Sequence, residues 1–338
     1  MTTQVLPKIN SLGYWASLAF EKHFQKTLKH ELEVLKDQDP EELHQMRIGM
    51  RRLRCATQGF GFVVTVPKAA QDQKIGKIAR CLGGLRDLDV LLEALENRYK
   101  PNLPTLEQVE LDKPLQKLRK QRHHAFKKVQ KILRHQSYLM FKQKFQEWLE
   151  QPIYKDISQV PILAVLPDLL LPQVSQLFLH PGWLVGVEEE DLETSDNNNF
   201  LLQKTNSKHQ IVKINNDTSA INISDAEEES LHSLRKKVKG VRYQMSLFSE
   251  FYGLTYEAYL RDMKELQEYL GDIQDNAVLR KFLESIFQSD LDKVLPSLVR
   301  QLKQSREKAL QKWQVLQRRY LNIQVRQNFR SELLRPLT

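Results

Sequence analysis

The sequence HQMRIGMRRLR at positions 44–54 returns in recognisable form as HSLRKKVKGVR at positions 232–242, an offset of 188 residues. At the same offset, LGGLRDLDV at 82–90 matches LGDIQDNAV at 270–278, so two separated motifs keep one register. A weaker match aligns RHHA at 122–125 with REKA at 306–309, at an offset of 184. This internal repeat predicts that one structural unit occurs twice in the chain.

The composition predicts that this unit is helical. Only 12 of the 338 residues are Gly, and Leu, Gln, Lys, Arg and Glu dominate, as in all-α proteins. Hydrophobic periodicity predicts helices over 11–36, 41–63, 75–98 and 112–150, and then over 162–179, 227–252, 256–287 and 293–333. We therefore expect a first helical half (1–150), a connecting helical segment (151–187), an acidic insertion (188–229) and a second helical half (230–338).

The charge is divided unevenly along the chain. The net charge is +9, yet residues 179–229 carry 11 Asp and Glu against 3 Lys, so the remainder of the chain is strongly basic. Acidic and Asn runs in 188–229 are typical of a mobile insertion, in which 200–203 and 210–214 could pair as a small hairpin. A basic excess on helices favours binding to polyanions, without saying which polyanion.

The basic residues of the repeated motif form one stripe on each predicted helix. At about 100° per residue, His44, Arg47, Arg51 and Arg54 lie within an arc of about 80°, beside an apolar face that includes Met46, Met50 and Leu53. The second copy repeats this order with His232, Arg235, Lys239 and Arg242. A solvated basic face would explain one such helix, but the duplicated stripe beside the core favours an anion site.

The last helix of each half carries an arginine on its apolar face. Arg122 lies among Leu118, Ala125 and Val129, and Arg306 occupies the matching place in the second half. Because an unpaired buried charge costs several kcal/mol, each arginine needs either a salt bridge, with Asp87 and Asp275 as the expected partners, or contact with a phosphate. A second basic ridge lies on the other side of the first of these helices, and it consists of Lys117, Lys120, Lys127, Lys128, Lys131 and Arg134.

The sequence lacks the motifs of several other classes of function. The carboxylates Asp87 and Asp89 could suggest acid–base or metal chemistry, but the second copy keeps only Asp275 and has Ala277 in place of the other. We therefore expect them to orient arginines on the second predicted helix, 41–63. No metal-ligand spacing, phosphate-binding glycine loop or nucleophile elbow is present, so we expect no cofactor, no metal and no catalysis.

The chain also lacks the sequence signals of a secreted or membrane protein. Only two cysteines are present and no secretory leader is evident, so we expect reduced thiols and a cytoplasmic protein. The apolar window 160–179 contains three prolines and an aspartate, which favours a buried, kinked helix over a membrane span.

The two copies together resemble the CHAD family of histidine-containing helical domains. The resemblance rests on His44 to Arg54, on Leu82 to Val90 and on Leu231 to Tyr243, and it covers most of the chain. It implies two four-helix bundles related by pseudo-twofold symmetry, with a basic central cavity that binds inorganic polyphosphate. The family often occurs beside a triphosphate-processing domain with the signature Glu-x-Glu-x-Lys, which this chain lacks.

Carried over by position, the resemblance assigns polyphosphate binding to residues of both copies. In the first copy these are His44, Arg47, Arg51, Arg52 and Arg54. In the second they are His232, Arg235, Lys236, Lys239, Arg242 and Tyr243. Arg122 and Arg306 join them as candidates on the reasoning given above.

The motifs disfavour a phosphotransfer or metal-dependent enzyme. Two other functions of the basic stripes remain open. The first is a non-catalytic polyphosphate-binding protein, associated with granules or with polyphosphate storage. The second is a nucleic-acid-binding protein that uses the same charge. Binding of single strands favours aromatic residues among the basic ones, and the stripes contain only Tyr243, which counts against the second reading.

Overall fold

The computed structural model describes residues 7–187 and 224–337, and nearly all of them are helical. In the first part of the chain the helices are α1 (Leu12–Lys29), α2 (Glu31–Lys36), α3 (Pro40–Phe60), α4 (Asp72–Glu93), α5 (Thr105–Glu110), α6 (Asp112–Leu133), α7 (Gln136–Glu150) and α8 (Ile162–Phe178). Beyond the insertion they are α9 (Asp225–Leu247), α10 (Leu254–Phe287), α11 (Leu291–Val294), α12 (Pro296–Leu321) and α13 (Ile323–Leu333). The predicted all-α class is confirmed.

Two short strands are the exception in the part of the chain that the structure describes. Strand β1 (Val64–Thr65) pairs antiparallel with β2 (Ile153–Tyr154), and Val64 lies opposite Tyr154. Their pairing ties the segment after α3 to the segment after α7.

The chain forms two compact units. Unit 1 comprises residues 1–166 and 279–301, and unit 2 comprises 167–278 and 302–338. Because α8, α10 and α12 each cross a boundary between these ranges, each of these helices supplies residues to both units.

The core of unit 1 is aromatic and forms around α1, α3 and α7. Phe20 and Phe24 of α1 meet Phe145 of α7, with ring centroids 6.0 and 4.7 Å away. Gly49 of α3 allows α1 and α3 to pack closely, since a Cβ there would lie 2.7 Å from the Thr27 hydroxyl. The apolar stripe of α3 that includes Met46, Met50 and Leu53 faces this core, so the predicted helical register is confirmed.

A buried carboxylate holds the start of α12 within unit 1. Glu107 of α5 is 6% exposed, and its oxygens accept hydrogen bonds from the backbone N–H groups of Ser297 and Leu298 at 3.1 Å. A carboxylate at a helix N-terminus satisfies otherwise unpaired donors and opposes the positive end of the helix dipole.

The core of unit 2 is built on Phe178, Tyr320 and Phe329. The ring centroids of Tyr320 and Phe329 lie 5.9 and 5.8 Å from that of Phe178. Trp183 is also buried there, and the Gln317 amide donates a hydrogen bond to the Trp183 carbonyl at 2.7 Å. The apolar window 160–179 is therefore a buried helix, with Pro167 and Pro172 inside it. No helix in residues 7–187 or 224–337 is long and apolar enough to cross a membrane.

Three of the predicted helices are each two helices in the structure. The predicted helix 11–36 divides at His30, and 112–150 divides at His135, whose side chain caps Ser137. The predicted helix 293–333 divides at Asn322, whose side chain accepts from the N–H groups of Gln324 and Val325. Continuous helix was wrong at His135 and Asn322 because a side-chain cap there starts a new helix without interrupting the hydrophobic period, whereas the division at His30 has no side-chain cap.

The acidic insertion lies mostly outside the described residues. The predicted hairpin at 200–203 and 210–214, and the prediction of mobility, fall in that part of the sequence. The last residues of the predicted insertion are described, and they begin α9. Ser224 caps this helix, and the Glu227 side chain accepts in return from the Ser224 backbone N–H, which completes a capping box.

Candidate anion-binding site

The first basic stripe lies along α3 at the border of the unit 1 core. Asp39 caps α3 by accepting from the Glu41 N–H at 2.8 Å, and Pro40 occupies the first helical position. His44, Arg47 and Arg51 are half-buried, one turn apart, beside the buried Met46 and Met50. The stripe therefore borders the core, as predicted, instead of pointing straight into solvent.

Arg86 of α4 joins this stripe. Burial lowers the pKa of His44, and the neighbouring positive charge of Arg86 lowers it further. His44 is therefore neutral at pH 7, and its Nδ1 is buried without a hydrogen-bond partner. Arg86 belongs to the repeated motif but was not predicted as a site residue. Because its charge acts on His44, we include it among the residues of the first stripe.

Arg54 is held by an acid at the start of α4. Its Nε and Nη2 donate to the two carboxylate oxygens of Asp72 at 2.8 and 3.0 Å. Gly76, one turn further along α4, makes room for the guanidinium, since a Cβ there would lie 3.3 Å from its carbon. An aspartate does orient an arginine of the stripe, but it is Asp72, whereas the predicted Asp87 is exposed.

Arg52 lies on another side of α3. Its charge acts on His23 and Lys26 of α1, and it lowers the pKa of both. His23 is buried, and burial is the main reason that its pKa falls to about 4. The structure therefore places Arg52 toward α1 and away from the stripe formed by His44, Arg47 and Arg51.

Arg122 is fully engaged in an internal ion-pair network. Its Nε donates to Asp89 at 2.7 Å, and its two terminal nitrogens donate to Asp37 at 2.6 Å each. Burial raises the pKa of Asp89, and the charge of Arg122 opposes that rise. The salt-bridge alternative is therefore the one observed, but the predicted partner Asp87 was wrong. On a helix, Asp89 points to the core side of α4 and Asp87 to its solvent side.

The second basic stripe lies along α9 in unit 2. Leu234, Val238 and Val241 are buried, while His232, Arg235, Lys239 and Arg242 are half-buried beside them. Burial lowers the pKa of His232, and Lys236 contributes to the lowering. The side chain of Gln274 hydrogen-bonds His232. Gln274 stands at the repeat position of Arg86, so an amide takes the place that a cation has in unit 1.

Arg235 packs against α10 at a glycine. A Cβ at Gly271 would lie 3.2 Å from the Arg235 Nη2, so glycine lets this arginine lie closer to the helix than a larger residue would. The Arg235 Nε is buried and has no hydrogen-bond partner among the described residues. Within the described part of the chain, no acidic group forms an ion pair with Arg235. The second motif therefore positions a partly buried cation without neutralising it.

The remaining predicted residues of the second stripe differ in exposure. The Arg242 guanidinium lies 4.9 Å from the centre of the Tyr243 ring, and Tyr243 is itself only 7% exposed. Tyr243 therefore supports Arg242 from below and does not present its ring face to solvent. Lys236 is exposed and lies 3.9 Å from Glu229, a separation at which a surface ion pair contributes little.

Arg306 also forms an ion pair, but with a residue assigned to the insertion. Its Nη2 donates to Glu228 at 2.7 Å, and both side chains are largely buried. The predicted partner Asp275 was therefore wrong. Glu228 was assigned to the mobile insertion, whereas the structure places it in the first turn of α9, where it reaches α12.

The protein is all-α, and one kind of basic helix occurs twice in it, as α3 and as α9. It is therefore a helical protein with an internal repeat. The profile of the CHAD domain matches residues 18–284. The chain therefore belongs to the CHAD family. No curated protein matches the sequence.

Two solved structures share the fold. The crystal structure of the CHAD domain from the plant Ricinus communis is 23% identical, with a TM-score of 0.51, over 99% of this chain and 98% of that one. PptA from Streptomyces chartreusis is 13% identical, with a TM-score of 0.62, over 90% of this chain and 99% of that one. At these identities the likeness supports the fold alone.

Proposed function

We propose that this CHAD protein binds inorganic polyphosphate, without transforming it, through the basic faces of α3 and α9. The observation that carries the proposal is Arg235. It is a partly buried cation that lies against Gly271, its Nε has no hydrogen-bond partner among the described residues, and the neighbouring His232 is neutral because burial lowers its pKa. Leaving a buried charge unpaired costs several kcal/mol, and a bound anion would offset that cost.

The spacing of the stripe fits a linear polyanion better than a single phosphate. Arg235, Lys239 and Arg242 follow one another at about one helical turn, or about 5 Å. Several cations in a row can contact successive phosphates of one chain and displace their counterions together. The stripe of α3 offers the same spacing with Arg47, Arg51 and Arg54.

Two features favour polyphosphate over nucleic acid and over catalysis. Tyr243 is the only aromatic residue of the stripes, and its ring is buried beneath Arg242, so it offers no platform on which a base could stack. Asp72 and Asp89, the carboxylates that could suggest acid–base chemistry near the stripe of α3, are held in ion pairs with Arg54 and Arg122. Association with polyphosphate granules in the cytoplasm would be the consequence of such binding.

The test reverses two charges on α9. Arg235→Glu with Lys239→Glu removes two attractions and adds two repulsions, and at about 1 to 2 kcal/mol for each lost contact it should weaken polyphosphate binding roughly a hundredfold. Folding should survive, because Leu234, Val238 and Val241 remain in the core. Titration calorimetry or fluorescence anisotropy at fixed salt measures the affinity.

The matched control reverses two exposed charges elsewhere. Lys127→Glu with Lys131→Glu changes the net charge by the same amount on the outer side of α6, where both lysines are exposed. This variant should lose much less affinity. Equal and modest losses from both double variants would mean that net charge alone attracts the anion, and the stripe would not be a site.

A further inference from the structure

Unit 1 contains a second basic feature, a groove between α4 and α6 that the stripes do not include. Its volume is about 700 Å³. It is lined by Arg80, Cys81, Gly84, Leu88, Lys117, Lys120, Gln121, His124, Ala125 and Lys128. The α6 residues recur at intervals of three and four, and so do Arg80, Gly84 and Leu88 of α4, so each helix contributes one continuous wall.

The cations of this groove are not neutralised by its walls. Arg80, Lys117, Lys120 and Lys128 line it, and no lining residue is acidic. Other cations of this region do have acids, since Arg119 pairs with Glu96 at 2.5 Å and Lys100 with Asp112 at 2.6 Å. Lys117 has only a 3.5 Å contact with the Ser285 hydroxyl and the ring of Phe282. The groove therefore concentrates positive charge in a concave place, which raises the local concentration of anions.

His124, Gly84 and Ala125 also line the groove. His124 Nδ1 lies 2.7 Å from the Lys120 carbonyl oxygen, to which it donates, so Nε2 is left to accept or, once protonated, to donate. Gly84 and Ala125 form a small-residue floor, and a Cβ added at Gly84 would meet nothing within 4 Å. Gly84 thus leaves open the space that a larger side chain would fill.

We infer that this groove is a binding site for a compact oligophosphate of the triphosphate class, separate from the stripes of α3 and α9. Four cations balance an anion of about four charges, and the lining from Lys117 to Lys128 spans about 16 Å of helix. The triphosphate group is the shared chemistry, whether it belongs to inorganic tripolyphosphate or to a nucleoside triphosphate. The inference rests on the groove alone and does not depend on the proposed function.

The two cysteines of the chain provide a built-in reporter. Cys81 lines the groove, and burial raises the pKa of its thiol while Lys128 opposes the rise. Cys55 lies on α3 and does not line the groove. A bound anion would cover Cys81 and disfavour its thiolate, which is the reactive form, so alkylation of Cys81 should slow by about fivefold or more while Cys55 is unchanged. Mass spectrometry of the modified peptides reads both rates in one sample.

The experiment compares tripolyphosphate and ATP on the full chain and on two glycine variants. Gly84→Leu fills the groove without changing its charge, and Gly83→Leu is the matched control, because its Cβ is equally open but Gly83 does not line the groove. We expect either anion to slow Cys81 alkylation in the parent protein and in Gly83→Leu. The ratio of rates with and without anion should return to about one in Gly84→Leu.

Three outcomes decide the inference. The site is supported if tripolyphosphate, ATP or both slow the alkylation of Cys81 and only Gly84→Leu abolishes this effect. The anion that is effective then identifies the source of the triphosphate group. No effect of either anion on Cys81, or equal protection in both glycine variants, overturns it. The Arg235→Glu and Lys239→Glu protein separates the two proposals, since it should keep this protection even where polyphosphate affinity has been lost.

Discussion

The two copies of the basic helix carry a histidine and three cations in the same register and hold them differently. In unit 1, Arg54 is paired with Asp72, and Arg122 of α6 is paired with Asp37 and Asp89. In unit 2, Arg242, the counterpart of Arg54, rests on the ring of Tyr243. The cations are therefore kept in both units but are paired differently: Arg306, the counterpart of Arg122, pairs with a different acid, Glu228, and no described carboxylate takes the place of Asp72 beside Arg242.

The histidines show the same contrast. Both histidines have a cation as a neighbour, Arg86 beside His44 and Lys236 beside His232, but only for His232 does an amide, that of Gln274, hydrogen-bond the ring and raise its pKa. A cation opposes protonation of the ring, but an amide can hydrogen-bond to it in either state. We therefore expect the α9 stripe to contribute more to anion affinity than the α3 stripe, and the network around Arg122 to serve mainly stability.

The largest expected effect comes from the ion-pair network of unit 1. Arg122→Met leaves the buried Asp89 without its counter-charge, which should lower the free energy of unfolding by about 3 to 5 kcal/mol. Arg306→Met, which breaks the less elaborate pair with Glu228, should cost about 1 to 3 kcal/mol. Urea denaturation measures both. A stable Arg122→Met protein with lost polyphosphate affinity would instead make Arg122 a phosphate contact.

A smaller effect, on polyphosphate affinity, should distinguish Arg242 from Arg54, which occupy the same position in the two copies of the repeat. Arg242→Gln removes a cation that no described carboxylate neutralises, and it should weaken polyphosphate binding about tenfold. Arg54→Gln removes an arginine already committed to Asp72, so its effect on affinity should be no more than about threefold. Both affinities are measured by titration at one salt concentration. Equal losses would contradict the comparison between the units.

The smallest effect concerns pH. Because burial lowers the pKa of His232, the ring is neutral in the free protein at pH 7, and a bound anion should raise that pKa. Binding then takes up a proton, so affinity should increase as pH falls from 7.5 to 5.5, by roughly three- to tenfold. His232→Gln should remove more of this dependence than His44→Gln, since the Gln274 side chain hydrogen-bonds His232 and favours its protonated form, whereas no amide of the described residues makes such a contact with His44. An affinity independent of pH would exclude a histidine in the site.

The sequence predicted which residues share a helix face better than it predicted which residues of other segments pair with them. The periodicity of residues 44–54 identified both the buried Met46, Met50 and Leu53 and the stripe beside them, because the helical repeat alone determines which residues share a face. Asp72, the partner of Arg54, and Asp37, one partner of Arg122, were missed, and Asp89, which was expected to orient an arginine of the second predicted helix, pairs with Arg122 instead. Asp72 starts a helix and Asp37 lies between α2 and α3, so neither is part of the repeated motif.

Contacts between distant segments were also beyond the reach of the sequence. Glu107 caps α12 from 190 residues away, and nothing in the spacing of either segment indicates that contact. Nothing in the sequence indicated that the Arg235 guanidinium approaches Gly271. At Gly83, the corresponding glycine of unit 1, no such close approach occurs.

Competition between polyanions tests the central claim most directly. Labelled inorganic polyphosphate bound to the full chain is challenged with unlabelled polyphosphate, single-stranded DNA and duplex DNA, at equal phosphate concentration and about physiological salt. We predict that unlabelled polyphosphate displaces the label at a concentration at least about tenfold lower than either DNA. Displacement by DNA at the same phosphate concentration would contradict the account, because it would show a basic surface that selects only charge.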